Sequence, residues 1–159
     1  MVSKQRNVSN RTYEAIGRFI FEFSQLEYEI RHRVAEEAWV SEEYFNAIMV
    51  HDFAVLCTAA DHVFQIAFEK EPDRIKEFKA LIKKARALAD IRNAVAHGLW
   101  VPFMEGGKVI HVPRSLKPNI STEQAAALNK KADEARELRA QIEALTTYKL
   151  AIKKPKPWK

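Results

Sequence analysis

The chain has only four glycines and one cysteine in 159 residues, and no apolar run approaches the roughly 20 residues that a membrane span requires. Scarce glycine leaves few positions where the backbone adopts a left-handed turn at no cost. A single cysteine excludes an internal disulfide. Cys57 lies in the apolar segment "FAVLCTAADHVF", which points to a buried structural thiol in a reducing cytosol. The opening residues "MVSKQRNVSNR" contain no apolar signal-peptide core. A cytoplasmic location without membrane contact is therefore expected. A Gly-rich phosphate loop, a Cys/His zinc spacing and a serine-nucleophile motif are all lacking, so no cofactor is expected.

What remains is an ordinary globular balance, 47% hydrophobic and 30% charged, at a length that supports one domain with a real core. The formal charge is +5, and part of it sits in the last eleven residues, "KLAIKKPKPWK". Two prolines and a lysine run there predict an extended basic tail over 149–159, leaving residues 1–148 as a single helical domain.

Periodicity is helical nearly throughout. Ile16, Phe19, Ile20, Phe23, Leu26, Ile30 and Val34 recur at three- and four-residue steps, predicting a helix over about 10–38 with Ser9 or Asn10 as its cap. Ser41 and two glutamates predict a short helix over roughly 42–49. Asp52 is placed to cap the next, which carries Phe53, Leu56, Cys57, Ala60, Val63, Phe64 and Ala67 on one side. Pro72 and Asp73 open another long helix, and Gly98 is placed to end it. "LWVPFMEGGKVIHVP" then reads as a β-hairpin or irregular loop. Ser121 and Gln124 form a capping-box pattern before the last helix, in which Leu128, Ala135 and Ile142 lie seven apart. The expected fold is thus all-α, an antiparallel helical bundle with a small hairpin or loop insertion before the final helix.

One segment breaks this pattern. In "DIRNAVAHGLW", residues 90–100, a wheel at about 100° per residue puts Arg92 in the arc of Leu81, Leu88, Val95 and Leu99. A guanidinium there needs a carboxylate, carbonyls or an interface where its head meets water. On the first helix Glu27 falls near the centre of the apolar stripe. An intrahelical pair with Arg31 one turn on and a cross-helix pair with Arg92 are both open. Asn93 and His97, four apart, share an edge.

"RNAVAH", an arginine followed by Asn and then a histidine, resembles the motif of the HEPN superfamily, and "FSQLEYEIR" resembles the first helix of those proteins. The resemblance spans roughly residues 10–147 and gains specificity from the motif's place at the end of a late helix, before a glycine. It implies a helical, metal-independent endoribonuclease that acts as a homodimer in a toxin or defence context, with RNA as substrate and an antitoxin or regulatory protein as a further partner. Its site residues would be Arg92, Asn93 and His97, with Glu27 orienting. RNA carries its own nucleophile, the 2′-hydroxyl, so such a site needs proton transfer and charge stabilisation. Histidine, with an unperturbed pKa near about 6.5, suits general acid or base work. Arginine suits phosphate binding. Arg92 and His97 stand about 140° apart on an ideal helix, so convergence on one atom needs a second copy or unwinding near Gly98. Some HEPN toxins carry a tyrosine two residues after the histidine; here that position is Leu99, and regulation through it is not implied.

Two other readings compete. A non-catalytic HEPN-like module would bind RNA or nucleotide, or only dimerise, since fold does not imply chemistry. The pair His51-Asp52, with His32, Asp61, His62 and Asp90, is the kind of set that helical metal phosphohydrolases use. Against it, Asp52 already has a plain capping role.

Overall fold

The computed structural model describes residues 2–48, 52–102, 109–112, 119–121 and 124–150. Among them are five helices, α1 (Val2–Glu37), α2 (Glu42–Ile48), α3 (Phe53–Ala67), α4 (Pro72–His97) and α5 (Gln124–Leu150), and three strands, β1 (Leu99–Pro102), β2 (Val109–Val112) and β3 (Asn119–Ser121). The protein is all-α in its architecture. The three strands form one small antiparallel sheet in the order β1-β2-β3, with Leu99 opposite Val112 and Ile110 opposite Ile120.

Local chemistry sets several helix ends. Asp52 caps α3, its carboxylate accepting from the backbone N–H of Ala54 at 2.7 Å and of Val55 at 3.1 Å, two of the donors that a helix start leaves without an intrahelical partner. Pro72 opens α4 as the first helical residue, where its missing N–H costs nothing. The helix runs unbroken to His97, and Gly98 lies in the bend before β1.

Three expectations are corrected. The first helix starts at Val2, ahead of Ser9 and Asn10; no proline interrupts residues 2–37, and Gly17 is their only glycine, so nothing there stops a helix from propagating. Ser121 does not cap α5: it pairs with Val109 in the sheet, and the helix begins at Gln124. Leu99, placed on the apolar arc by a wheel that assumed continued helix, belongs to β1 and is exposed. The helical part of the last segment reaches Leu150; the rest of the predicted tail, from residue 151, lies outside the described residues, as does His51.

The chain divides into two compact units. The first holds residues 1–24 and 87–136, with Phe19, Phe23, Leu88, Val95, Leu128 and Ala132 buried. Arg18 ties α1 to α5 there, 2.6 Å from the Asp133 carboxylate and 3.2 Å from the Asn129 side-chain oxygen. The second holds residues 25–86 and 137–159. Its core is built around Leu26, Ile30, Leu56, Phe64, Phe68, Phe78, Ile82 and Ile142. The rings of Phe64 and Phe78 are 4.3 Å apart, and Phe68 lies 5.5 Å from Phe64. Arg74 stacks on Phe68 with its guanidinium carbon 4.7 Å from the ring centre and also donates to the Leu145 carbonyl. Each unit is thus a packed set of helices, and α1, α4 and α5 contribute to both.

Candidate functional site

The candidate site occupies the last turns of α4, inside the first unit. Leu88, Ala89 and Val95 turn their side chains into the core, which fixes the rotation of the helix and decides where its polar residues emerge. Arg92 comes out half-buried. Its guanidinium carbon lies 5.2 Å from the centre of the Phe23 ring on α1, a cation–π stack that lets an arginine share an apolar face. Its Nη1 donates to the Asn93 side-chain oxygen at 2.9 Å. Phe23 and Asn93 therefore hold the guanidinium from two sides.

Asn93 and His97 are exposed and lie one turn apart along the same edge of the helix. The asparagine side chain meets Arg92 through its oxygen. His97 is the last helical residue. The chain beyond it is tied back by Trp100, whose indole N–H donates to the Val95 carbonyl at 2.9 Å. That bond satisfies one of the carbonyls a helix end leaves open and fixes the turn from α4 into β1.

Because α4 stays helical through His97, the divergence of about 140° between Arg92 and His97 persists. Unwinding near Gly98, one of the two ways to bring them together, is not what the structure does. The Phe23 stack was missed in the sequence reading, although Phe23 and Arg92 both sit at the centres of their apolar stripes. Glu27 accepts from Arg31 Nη2 at 3.0 Å, the intrahelical partner one turn on.

Three of the residues nominated for a metal phosphohydrolase have other work. Asp52 is the α3 cap. His32 lies 3.4 Å from the Glu36 carboxylate and stacks on Tyr28. Asp61 faces Arg86 at 3.8 Å. Among the described residues no three His, Cys, Asp or Glu side chains gather as a metal-holding group. In the second unit, burial pushes the Asp61 carboxyl above its ordinary value against the opposing pull of Arg86, Lys79 and His62. Burial also pushes the Cys57 thiol up to about 11. Cys57 is fully buried and a poor nucleophile at neutral pH.

No protein-family model matches the chain, and neither the curated proteins nor the solved structures hold a match to it.

Proposed function

We propose that the protein is a HEPN-like, metal-independent endoribonuclease whose site combines Arg92, Asn93 and His97 from two copies of the chain. One observation carries this reading: an arginine held by Phe23 and Asn93 stands five residues, about 1.4 turns, before an exposed histidine at the end of a core helix. The arginine binds the scissile phosphate and stabilises the charge that develops on it. The RNA 2′-hydroxyl attacks phosphorus and the bond to the 5′-oxygen breaks, leaving a 2′,3′-cyclic phosphate and a 5′-hydroxyl. His97 moves the proton, as base for the hydroxyl or acid for the leaving oxygen. A toxin or defence setting, with an antitoxin or regulatory protein as further partner, belongs to the same reading, as does cytoplasmic location.

The alternative is a non-catalytic module of the same kind that binds RNA or nucleotide, or only dimerises. The divergence of Arg92 from His97 on an unbroken helix favours it wherever the chain acts as a monomer.

Incubation with single-stranded RNA in EDTA separates the two. Cleavage with a cyclic phosphate end is expected. His97→Ala and Arg92→Ala should each abolish it, while circular dichroism stays helical. A 2′-deoxy nucleotide at the cleaved position should block the reaction. Binding without cleavage, or cleavage that survives the deoxy substitution, defeats the mechanism.

A further inference from the structure

In the second unit Arg31, Arg33, Arg74 and Arg86 each face a carboxylate. The lysines of α4 do not. Lys76, Lys79 and Lys83 are exposed, and among the described residues none of the three has a carboxylate within ion-pair distance. Residues 72–86 as a whole carry six lysines and arginines against two carboxylates, Asp73 and Glu77.

The placement of these cations is one-sided. At about 100° per residue, Lys76, Lys79, Lys83 and Arg86 fall within an arc of roughly 80°, and neither Asp73 nor Glu77 lies in it. Phe78, Leu81 and Ala85 bury the opposite side of the helix in the core, so the arc is turned to solvent. Its members follow one another at steps of about 4.5 or 6 Å along the axis.

Helix α3 borders the arc with neutral polar groups. Lys79 Nζ donates to the Gln65 side-chain oxygen at 3.2 Å. Arg86 donates to the Thr58 hydroxyl at 3.0 Å and to the Ala54 carbonyl at 3.2 Å. These contacts hold two cations in place without neutralising them. Asp61 opposes Arg86 at 3.8 Å, so the excess charge rests on the lysines.

A repeating anion fits this row better than a point anion or a bilayer. A lone phosphate needs donors that converge, and these cations are strung along a line. A helix that lies on a membrane sets bulky apolar side chains beneath its cations, whereas the exposed residue beside this row on α4 is Ala80. A nucleic-acid strand supplies regularly spaced phosphates, and lysines that meet them release condensed counterions. We infer that the row Lys76, Lys79 and Lys83, with Arg86 at its end, binds the phosphate backbone of single-stranded RNA without reading its sequence. The choice of RNA as the polyanion rests on the function proposed above, but the row itself requires no catalysis.

Fluorescence anisotropy of the full chain with a short single-stranded RNA, 2′-O-methylated throughout so that it cannot be cut, tests this across a salt series. Binding should weaken steeply with salt. Lys79→Gln/Lys83→Gln should lose at least about tenfold in affinity at low salt and flatten the logarithmic salt slope by about 1.4, the share of two phosphate contacts on a single strand. Lys79→Arg/Lys83→Arg keeps the charge and should bind as the wild type does. Arg11→Gln/Lys130→Gln removes the same charge from exposed positions elsewhere and should leave the slope unchanged. Absence of RNA binding, equal losses in the two glutamine pairs, or capture of phosphatidylserine vesicles in preference to RNA each overturns the inference. Binding that follows these expectations in a chain that cuts no RNA would defeat the catalytic reading and leave the row standing.

Discussion

Asp61 and Cys57, one turn apart on α3, are pushed in the same direction by the same cause, because burial disfavours the charged form of both. Asp61 is the more consequential, since its Oδ1 is shielded from solvent and has no hydrogen-bond partner. Its folded-state carboxyl binds a proton more tightly than it does in the unfolded chain. Folding is therefore favoured when Asp61 is protonated, and that contribution is lost as pH rises through the raised carboxyl value. Asp61→Asn removes the buried charge, and Arg86 keeps its bonds to the Ala54 carbonyl and the Thr58 hydroxyl. The variant should be the more stable at neutral pH, with the gap closing on acidification. Urea midpoints followed from neutral pH down through the carboxylate range check this, and a variant less stable at neutral pH contradicts it. None of this was legible in the sequence, where Asp61 offers only a polar position beside an apolar run. Arg92 was different. Its place in an apolar arc was visible from spacing alone, whereas the Phe23 stack that makes the place tolerable depends on how two helices meet.

Elements were legible wherever a residue with its own local chemistry marked an end. Asp52, Pro72 and Gly98 each fall where the capping and breaking rules put them. The end of α1 had no such mark, because the residues after Glu37 are Ala-Trp-Val-Ser. There the chain closes a Schellman turn, with the Val40 N–H bonded to the Ala35 carbonyl at 3.0 Å and the Trp39 N–H to the Glu36 carbonyl at 3.2 Å. Trp39 takes the left-handed position at φ 58°, where an L side chain crowds its own carbonyl at a cost of about 1–2 kcal/mol. Its indole is 62% exposed and recovers little of that by packing. Trp39→Gly should therefore raise stability by roughly 1 kcal/mol, and Trp39→Val, β-branched at the same φ, should lower it. Denaturant midpoints at unchanged slope measure both. Ser121 shows the converse error: its capping-box spacing to Gln124 is real, but backbone pairing with Val109 holds the residue in the sheet.

The chain's division into two units, with α1, α4 and α5 contributing to each, was not legible, because apolar periodicity reports which face of a helix is buried and not where along its length the packing changes partners. The function proposed for the motif belongs to this largest scale as well. Arg92 and His97 leave an unbroken helix about 140° apart, so a composite site takes its arginine from one copy and its histidine from the other. Mixing experiments test that geometry directly. An Arg92→Ala chain still supplies His97, and a His97→Ala chain still supplies Arg92. After exchange at equal concentrations, half of the dimers pair one variant with the other, and each mixed dimer contains one intact composite site and one doubly depleted one. Two preparations that are inactive alone should together regain about a quarter of the wild-type ribonuclease activity, by the statistics of a two-fold dimer. Subunit exchange is verified separately by a mass tag on one variant. Full exchange with no recovered cleavage would place arginine and histidine in the same chain's site, and the two-copy mechanism would have to be abandoned.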